Sequence, residues 1–264
     1  MEQAEIKQRL QQKIFGHHST KQFNAYSQSV LKKLSVCHTV RLGMHLYQCN
    51  SCHHQHYQYH SCGNRHCPNC GGLKREQWLQ DRMSELLPTT YFHVVFTLPQ
   101  QLRSLAMGNR KGVFNLLFEA STYTLRKLGQ DEKYLGGTPG IISILHTNGQ
   151  DLTFHPHIHC IVSGGGLSKA GKWIKEKRAN GNFLFPRRGM EKIFKCYFLD
   201  RLKAFHQTQK LQIEDETAFE KILHEVRYIK WNVYAKRPFG GPQQVLEYLG
   251  RYTHKIAITT HRIL

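Results

Sequence analysis

Three histidines stand at alternate positions in TFHPHIHCIV, residues 153–162: His155, His157 and His159. Strand side chains alternate between faces, so His157 and His159 share one face while Ile158 points into a core. Two imidazoles about 7 Å apart along a strand can grip one divalent cation from the same side. His155 joins them if Pro156 leaves the strand untwisted. Further on, VLEYLGRYTHK carries Tyr248 and Tyr252 four residues apart, one above the other on a helix. Arg251, His254 and Lys255 surround the second tyrosine. Alone, a His-x-His pair is more often structural, and an i, i+4 tyrosine pair more often a packed stripe. Together they suggest phosphoryl transfer: a divalent ion polarises the scissile phosphate and neutralises developing charge. A phenol ordinarily deprotonates near pH 10, so it needs a nearby cation to attack at neutral pH. The product is a covalent phosphotyrosine, which stores the bond energy for rejoining.

A second constellation lies upstream. Six of the eight cysteines fall between Cys37 and Cys70. No secretory signal precedes them, so clustered thiols point to metal rather than disulfides. Cys49-x2-Cys52 and Cys67-x2-Cys70 are separated by fourteen residues. Two such knuckles can close a tetrahedral Zn–S₄ site. Cys37, His45, Cys62 and His66 bracket them and could hold a second zinc in a cross-braced arrangement, with His53, His54, His56 and His60 as competitors. Four thiolates leave no open coordination position, so this zinc is structural and the module binds rather than catalyses. Arg65, Lys74 and Arg75 flank the last knuckle and could meet DNA backbone.

The bulk composition agrees. Lys and Arg number 37 against 18 Asp and Glu, a net charge of +19 over 264 residues. A folded chain this basic meets a polyanion, most often nucleic acid. No apolar run approaches the ~20 residues needed to span a membrane. The N-terminal MEQAEIKQRLQQK lacks a signal peptide's apolar core, so the expected address is the cytoplasm.

Elements must position these groups. Residues 1–36 read as two short helices, EIKQRLQQKIF and FNAYSQSVLKKL. Residues 37–72 are Cys/His-rich with little periodicity, and LKREQWLQDRMSELL (73–87) reads as a helix ended by Pro88. Then YFHVVFTLP (91–99) reads as a strand and GVFNLLFEASTYTLRKLG (112–129) as a helix. GIISILHT (140–147) and DLTFHPHIHCIV (151–162) read as strands joined at Asn148-Gly149, a strong hairpin signal. Gly164-Gly165-Gly166 is expected to break the return strand. Weaker strands are expected around Trp173 and Phe183–Phe185, a long helix over 190–210, a strand over VRYIKWNVYAK (226–236), a helix over QQVLEYLGRYTHK (243–255) and a last strand, IAITTHRI. The fold class is therefore α+β, a mostly antiparallel sheet with flanking helices. Three regions follow: a helical segment 1–36, a zinc-binding module with its connecting helix 37–88, and a catalytic domain 89–264.

HSCGNRHCPNC (60–70), YFHVVFTLP (91–99), ILHTNGQDLTFHPHIHCIVSGGGLS (144–168) and YLGRYTHKIAIT (248–259) occur in an order and combination that is specific. In these the sequence resembles the HUH rolling-circle transposases of bacterial insertion sequences, the branch with an N-terminal zinc-binding domain and two catalytic tyrosines. The resemblance implies an HUH endonuclease fold, with the His-hydrophobic-His strand mid-sheet beside the tyrosine helix. It implies that His157 and His159 bind Mg²⁺ or Mn²⁺ and that Tyr248 and Tyr252 are the nucleophiles. It also implies a third metal ligand, for which Gln150 and His155 rank ahead of His146; Arg251 and Lys255, cations beside the second tyrosine, are candidate DNA contacts. One tyrosine would nick single-stranded DNA at the element's end and keep the 5′ phosphate, and the second tyrosine or the freed 3′ hydroxyl would resolve the transfer. Family chains usually continue past the tyrosine helix, whereas this one stops at THRIL, so a C-terminal region is expected to be missing.

Other functions compete. A rolling-circle replication initiator or a conjugative relaxase would share the histidine strand and tyrosines, but not the preceding zinc module. A truncated, inactive, zinc-dependent DNA-binding protein would explain charge and zinc, yet leave the histidine strand and tyrosine pair unexplained. A metal-dependent hydrolase acting through water would need neither tyrosine.

Overall fold

The computed structural model describes residues 23–64, 66–67, 70, 72–149, 151, 153–175, 184–208, 211–213, 215–236, 243–244, 246–247 and 250. They form two compact units, the first made of the residues up to Trp78 together with Gly250 and the second of those from Leu79 to Glu247.

In the first unit, helix α1 (Ala25–Ser35) starts where the Asn24 side chain accepts from the Ser27 backbone N–H at 2.9 Å, satisfying an end donor that the helix itself cannot. Val30 and Leu34, one turn apart, turn toward a sulfur-lined core. Strands β1 (Met44–Gln48) and β2 (Gln55–Tyr59) then form an antiparallel hairpin, Met44 opposite Tyr59 and Gln48 opposite Gln55. The sequence reading has no strand here, for a physical reason: every residue of both strands is exposed, so neither face imposes an alternation to read. Helix α2 (Gly72–Ser84) follows, ending three residues before the expected stop.

The second unit is the α+β domain. Its strands are β3 (Tyr91–Thr97), β4 (Thr138–Asn148), β5 (Phe154–Leu167), β6 (Trp173–Lys175) and β7 (Val233–Lys236). The sheet runs β4–β5–β3–β7, wholly antiparallel, with the short β6 also pairing with β5. Alternation decides the faces. Phe92, Val94 and Phe96 of β3, Ile158, Cys160 and Val162 of β5, and Val233 of β7 enter one core. Helices α3 (Arg103–Gly108), α4 (Arg110–Gln130), α5 (Arg187–Gln207) and α6 (Glu216–Tyr228) supply the rest of it. Helix α4 presents Val113, Leu116, Leu117, Ala120, Thr124, Leu125 and Leu128 buried, the spacing of one helical face. Asp215 caps α6, accepting from Thr217 N–H at 2.8 Å and Ala218 N–H at 3.2 Å. Trp231 is 1% exposed, wedged against Phe194 and Phe198, with its indole N–H donating to the Val226 carbonyl at 2.8 Å.

Three sequence expectations change. The glycine run does not break β5, which continues to Leu167. A Cβ on Gly166 would sit 2.7 Å from the Thr138 carbonyl oxygen, and one on Gly165 2.4 Å from the Trp173 ring, so glycine is what lets β4 and β6 approach on either side. Leu184 and Phe185 are buried in the core without joining the sheet. The stretch expected as a strand from Val226 begins inside α6, and only Val233–Lys236 is extended. The helix expected at 243–255 and the strand after it lie largely or wholly outside the described residues, as do Gln150, Tyr248, Arg251, Tyr252 and Lys255.

Candidate functional site

Four sulfurs converge in the first unit, and they are not the two knuckles. Cys37, Cys62, Cys67 and Cys70 lie with their Sγ atoms within 4.8 Å of one another. Cys37 Sγ is 3.3 Å from Cys70 and 3.6 Å from Cys67, and Cys62 is 3.6 Å from Cys70. Four thiolates around one zinc at about 2.3 Å would stand about 3.8 Å apart, so the spacing is close to that of a Zn–S₄ site. Chain geometry selects the set. Cys37 follows α1, Cys62 follows β2, and Cys67 closes a turn in which its N–H bonds the Asn64 carbonyl at 3.0 Å. The Cys62 backbone N–H points at Cys37 Sγ, 3.3 Å away. Hydrogen bonds, first from Cys37, hold the Cys70 thiol well below its ordinary range, while burial pushes Cys62 up to about 12. Cys49 and Cys52 are exposed at the hairpin tip, outside this group. His45 rests its ring 4.5 Å from that of His60, and His66 is exposed; neither joins the sulfurs. Lys74 is exposed on α2, Arg75 lies 3.9 Å from Glu76, and Arg65 lies outside the described residues.

The second constellation sits on the sheet face opposite the helical core. His157 and His159 share it, as alternation requires, with ring centroids 4.8 Å apart. The third partner is His146 of β4, directly across from His157. One ligand nitrogen from each of His146, His157 and His159 lies within 4.8 Å of the other two. His155 goes elsewhere: its Nδ1 contacts the Arg103 guanidinium. His93 of β3 is the group that sequence reasoning missed. Its Nε2 lies 2.8 Å from His159 Nδ1. The available signal was its place in YFHVVFT, out of phase with buried Phe92, Val94 and Phe96.

Two family models match the chain: one described as "Transposase zinc-binding domain" over residues 6–98, the other as "Putative transposase", a two-tyrosine type, over 140–264. The chain belongs to the two-tyrosine insertion-sequence transposases with an N-terminal zinc-binding domain. Among curated relatives, "Putative transposase y4qJ" of Sinorhizobium fredii is 43% identical over 89% of this chain and 60% of its own length. "Transposase for insertion sequence element IS801" of Pseudomonas savastanoi pv. phaseolicola is 28% identical over 88% of the chain and 56% of its own length. The chain thus spans less than two thirds of these relatives. A solved metal-bound structure of conjugative relaxase TrwC with oriT DNA is a weak likeness: 11% identity, TM-score 0.33, 61% of this chain and 70% of that one.

In this transposase-family chain both clusters have the chemistry of metal sites. The zinc-binding domain carries its four-cysteine cluster. At the histidine cluster, burial first, then neighbouring imidazoles, holds His146 down to about 4 and His159 to about 2, and burial also lowers His157. All three are therefore neutral near pH 7, the protonation state a ligand needs. His157 Nδ1 lies 2.6 Å from the His155 carbonyl oxygen. A carbonyl only accepts, so Nδ1 carries the proton and Nε2 holds the lone pair. A ligand histidine anchored through its other nitrogen is the usual arrangement at metals. Among the described residues no helix is long and apolar enough to cross a membrane.

Proposed function

We propose that this protein nicks and rejoins single-stranded DNA at insertion-sequence ends, through a tyrosine nucleophile assisted by a divalent cation on His146, His157 and His159. The convergence of three neutral imidazole nitrogens on one sheet face carries this reading. Family membership, the net charge of +19 and the tyrosine pair at 248 and 252 support it. So does Arg103, a cation whose guanidinium lies against His155 of the histidine strand and has the fork geometry that suits a phosphodiester.

A cation held there would polarise the scissile phosphate and offset the charge that develops on it. Three nitrogen donors suit Mn²⁺ better than Mg²⁺, which prefers oxygen. The chain's own groups do the rest. Tyr248 or Tyr252 loses its phenolic proton as its oxygen bonds to phosphorus. The bond from phosphorus to the 3′ oxygen breaks, and that oxygen takes up a proton. The 5′ phosphate stays on the tyrosine, so the energy of the broken linkage is kept for rejoining, and the second tyrosine allows a linked second cleavage. The zinc-binding domain contributes DNA binding through Arg65, Lys74 and Arg75, and Arg251 and Lys255 beside the second tyrosine add further backbone contacts.

The test is a covalent adduct. The chain is incubated with Mn²⁺ or Mg²⁺ and a 3′-labelled single-stranded element end, then run on a denaturing gel. A retained protein–DNA species is expected. Tyr248→Phe and Tyr252→Phe singly, then together, assign the nucleophile. Cleavage that persists in the double variant would replace this mechanism with water-mediated hydrolysis. Binding with no cleavage would leave a zinc-dependent DNA-binding protein.

A further inference from the structure

We infer that His93 is a positioning residue for the candidate cation site: it fixes the ring and tautomer of His159 so that His159 Nε2 is left for the ion. This rests on the reading above that His157 and His159 hold that ion.

The contact is a directed bond. The rings of His93 and His159 are nearly parallel, 11° apart, with centroids separated by 5.0 Å. Rings stacked face to face keep their atoms about 3.5–4.0 Å apart. A nitrogen–nitrogen distance of 2.8 Å between near-parallel rings is therefore an edge-on hydrogen bond lying close to the ring planes.

The sheet dictates the pairing. Val95 of β3 stands opposite His159, so His93 is its diagonal neighbour on the same face, within reach for an aromatic side chain. On the other side, Lys236 of β7 stands opposite His93. His93 is half-buried, so the bond is partly shielded from competing water.

The proton in this bond has two possible owners. If His93 Nε2 carries it, His159 must hold its own proton on Nε2 and cannot ligate there. If His159 Nδ1 carries it, Nε2 of His159 is a free lone pair, and His93 keeps its proton on Nδ1. Only the second arrangement matches His157, whose Nδ1 must donate because its partner is a carbonyl. The two histidines would then share one design: Nδ1 anchored, Nε2 toward the ion.

Two measurements on the full chain without DNA test this. In metal-free, ¹⁵N-histidine-labelled wild type above pH 7.5, long-range ¹H–¹⁵N spectra should show His159 protonated on Nδ1; protonation on Nε2 overturns the inference. Mn²⁺ binding followed by electron paramagnetic resonance should weaken about 10–100-fold in His93→Leu. His93→Gln, whose amide oxygen can accept where Nε2 accepted, should restore most of that affinity. Mn²⁺ binding that survives His157→Ala combined with His159→Ala would remove the metal reading itself. Loss there with wild-type affinity in His93→Leu would remove only the role of His93.

Discussion

Replacing Cys37 by serine should cost the first unit its metal, whereas the same change at Cys49 should not. The knuckle spacing alone implies the opposite emphasis, with Cys49 and Cys52 as ligands. In the structure Cys37 is 1% exposed and its sulfur lies 3.3 and 3.6 Å from those of Cys70 and Cys67, while Cys49 is exposed. The sulfur cluster is packed against Leu34 and half-buried Val30. Burying a leucine is worth about 2–3 kcal/mol; structural zinc binding is worth about 10–16 kcal/mol. The ion should therefore dominate the folding of this unit. Shared over four thiolates, the loss of one comes to about 2.5–4 kcal/mol, or two to three orders of magnitude in zinc affinity. Zinc content of purified variants, with competition against a chromophoric chelator, reads this directly. Hydrogen exchange by mass spectrometry adds the structural consequence. A strong chelator should strip protection from peptides covering Met44–Gln48 and Gln55–Tyr59 and leave those of Tyr91–Thr97 unchanged. Equal zinc loss in Cys49→Ser and Cys37→Ser, or a hairpin indifferent to chelation, would refute the reasoning.

Three further outcomes follow from the second unit. His146→Ala should weaken Mn²⁺ binding and adduct formation together, whereas His155→Ala should leave Mn²⁺ affinity near wild type; titration of both variants by electron paramagnetic resonance decides. Acid should destabilise the domain. His93 and His146 sit at about 4 when folded against about 6.5 unfolded, so the unfolded chain binds more protons between those values. That stability is whole above pH 6.5 and lost as pH falls toward 4, at most about 2 kcal/mol per group by pH 5. Urea midpoints at pH 7.5 and 5.0, read by exchange in β3, should show the fall, and an unchanged or higher midpoint at pH 5.0 would contradict it. Gly166→Ala should cost about 1–3 kcal/mol, because the added methyl meets backbone at Thr138; a melting temperature equal to wild type would show that β4 can yield.

Much of the architecture was legible because burial imposes a period. The elements expected at 91–99, 112–129 and 190–210 stand near where β3, α4 and α5 lie, since each packs on one core. The β1–β2 hairpin escaped because its residues are exposed on both faces. The end of α6 was misread as strand because its last turn, Val226–Tyr228, runs into an alternating stretch. The glycine run was misread because glycine marks both a strand's end and a place where neighbouring backbones come close. At the site, His157 and His159 were legible from period two, but His93 required knowing which strand lies beside β5.

By itself the sequence determined the local parity of side chains and the chemical types: two histidines on one strand face, thiols enough for zinc, and cations without matching acids. Tertiary structure decided which of those groups meet. His146 is the clearest instance. Asn148 pairs with Phe154, so an unbroken hairpin register would set His146 against Pro156, turned into the core. A register shift between His146 and Asn148 instead sets it against His157, and a slip of one residue reverses the face a side chain occupies. Likewise Cys37 and Cys62 join Cys67 and Cys70 because a helix end and a strand end are folded to one point. Spacing along the chain constrains neighbours within a turn, whereas packing alone brings together residues thirty-three positions apart, as it does Cys37 and Cys70.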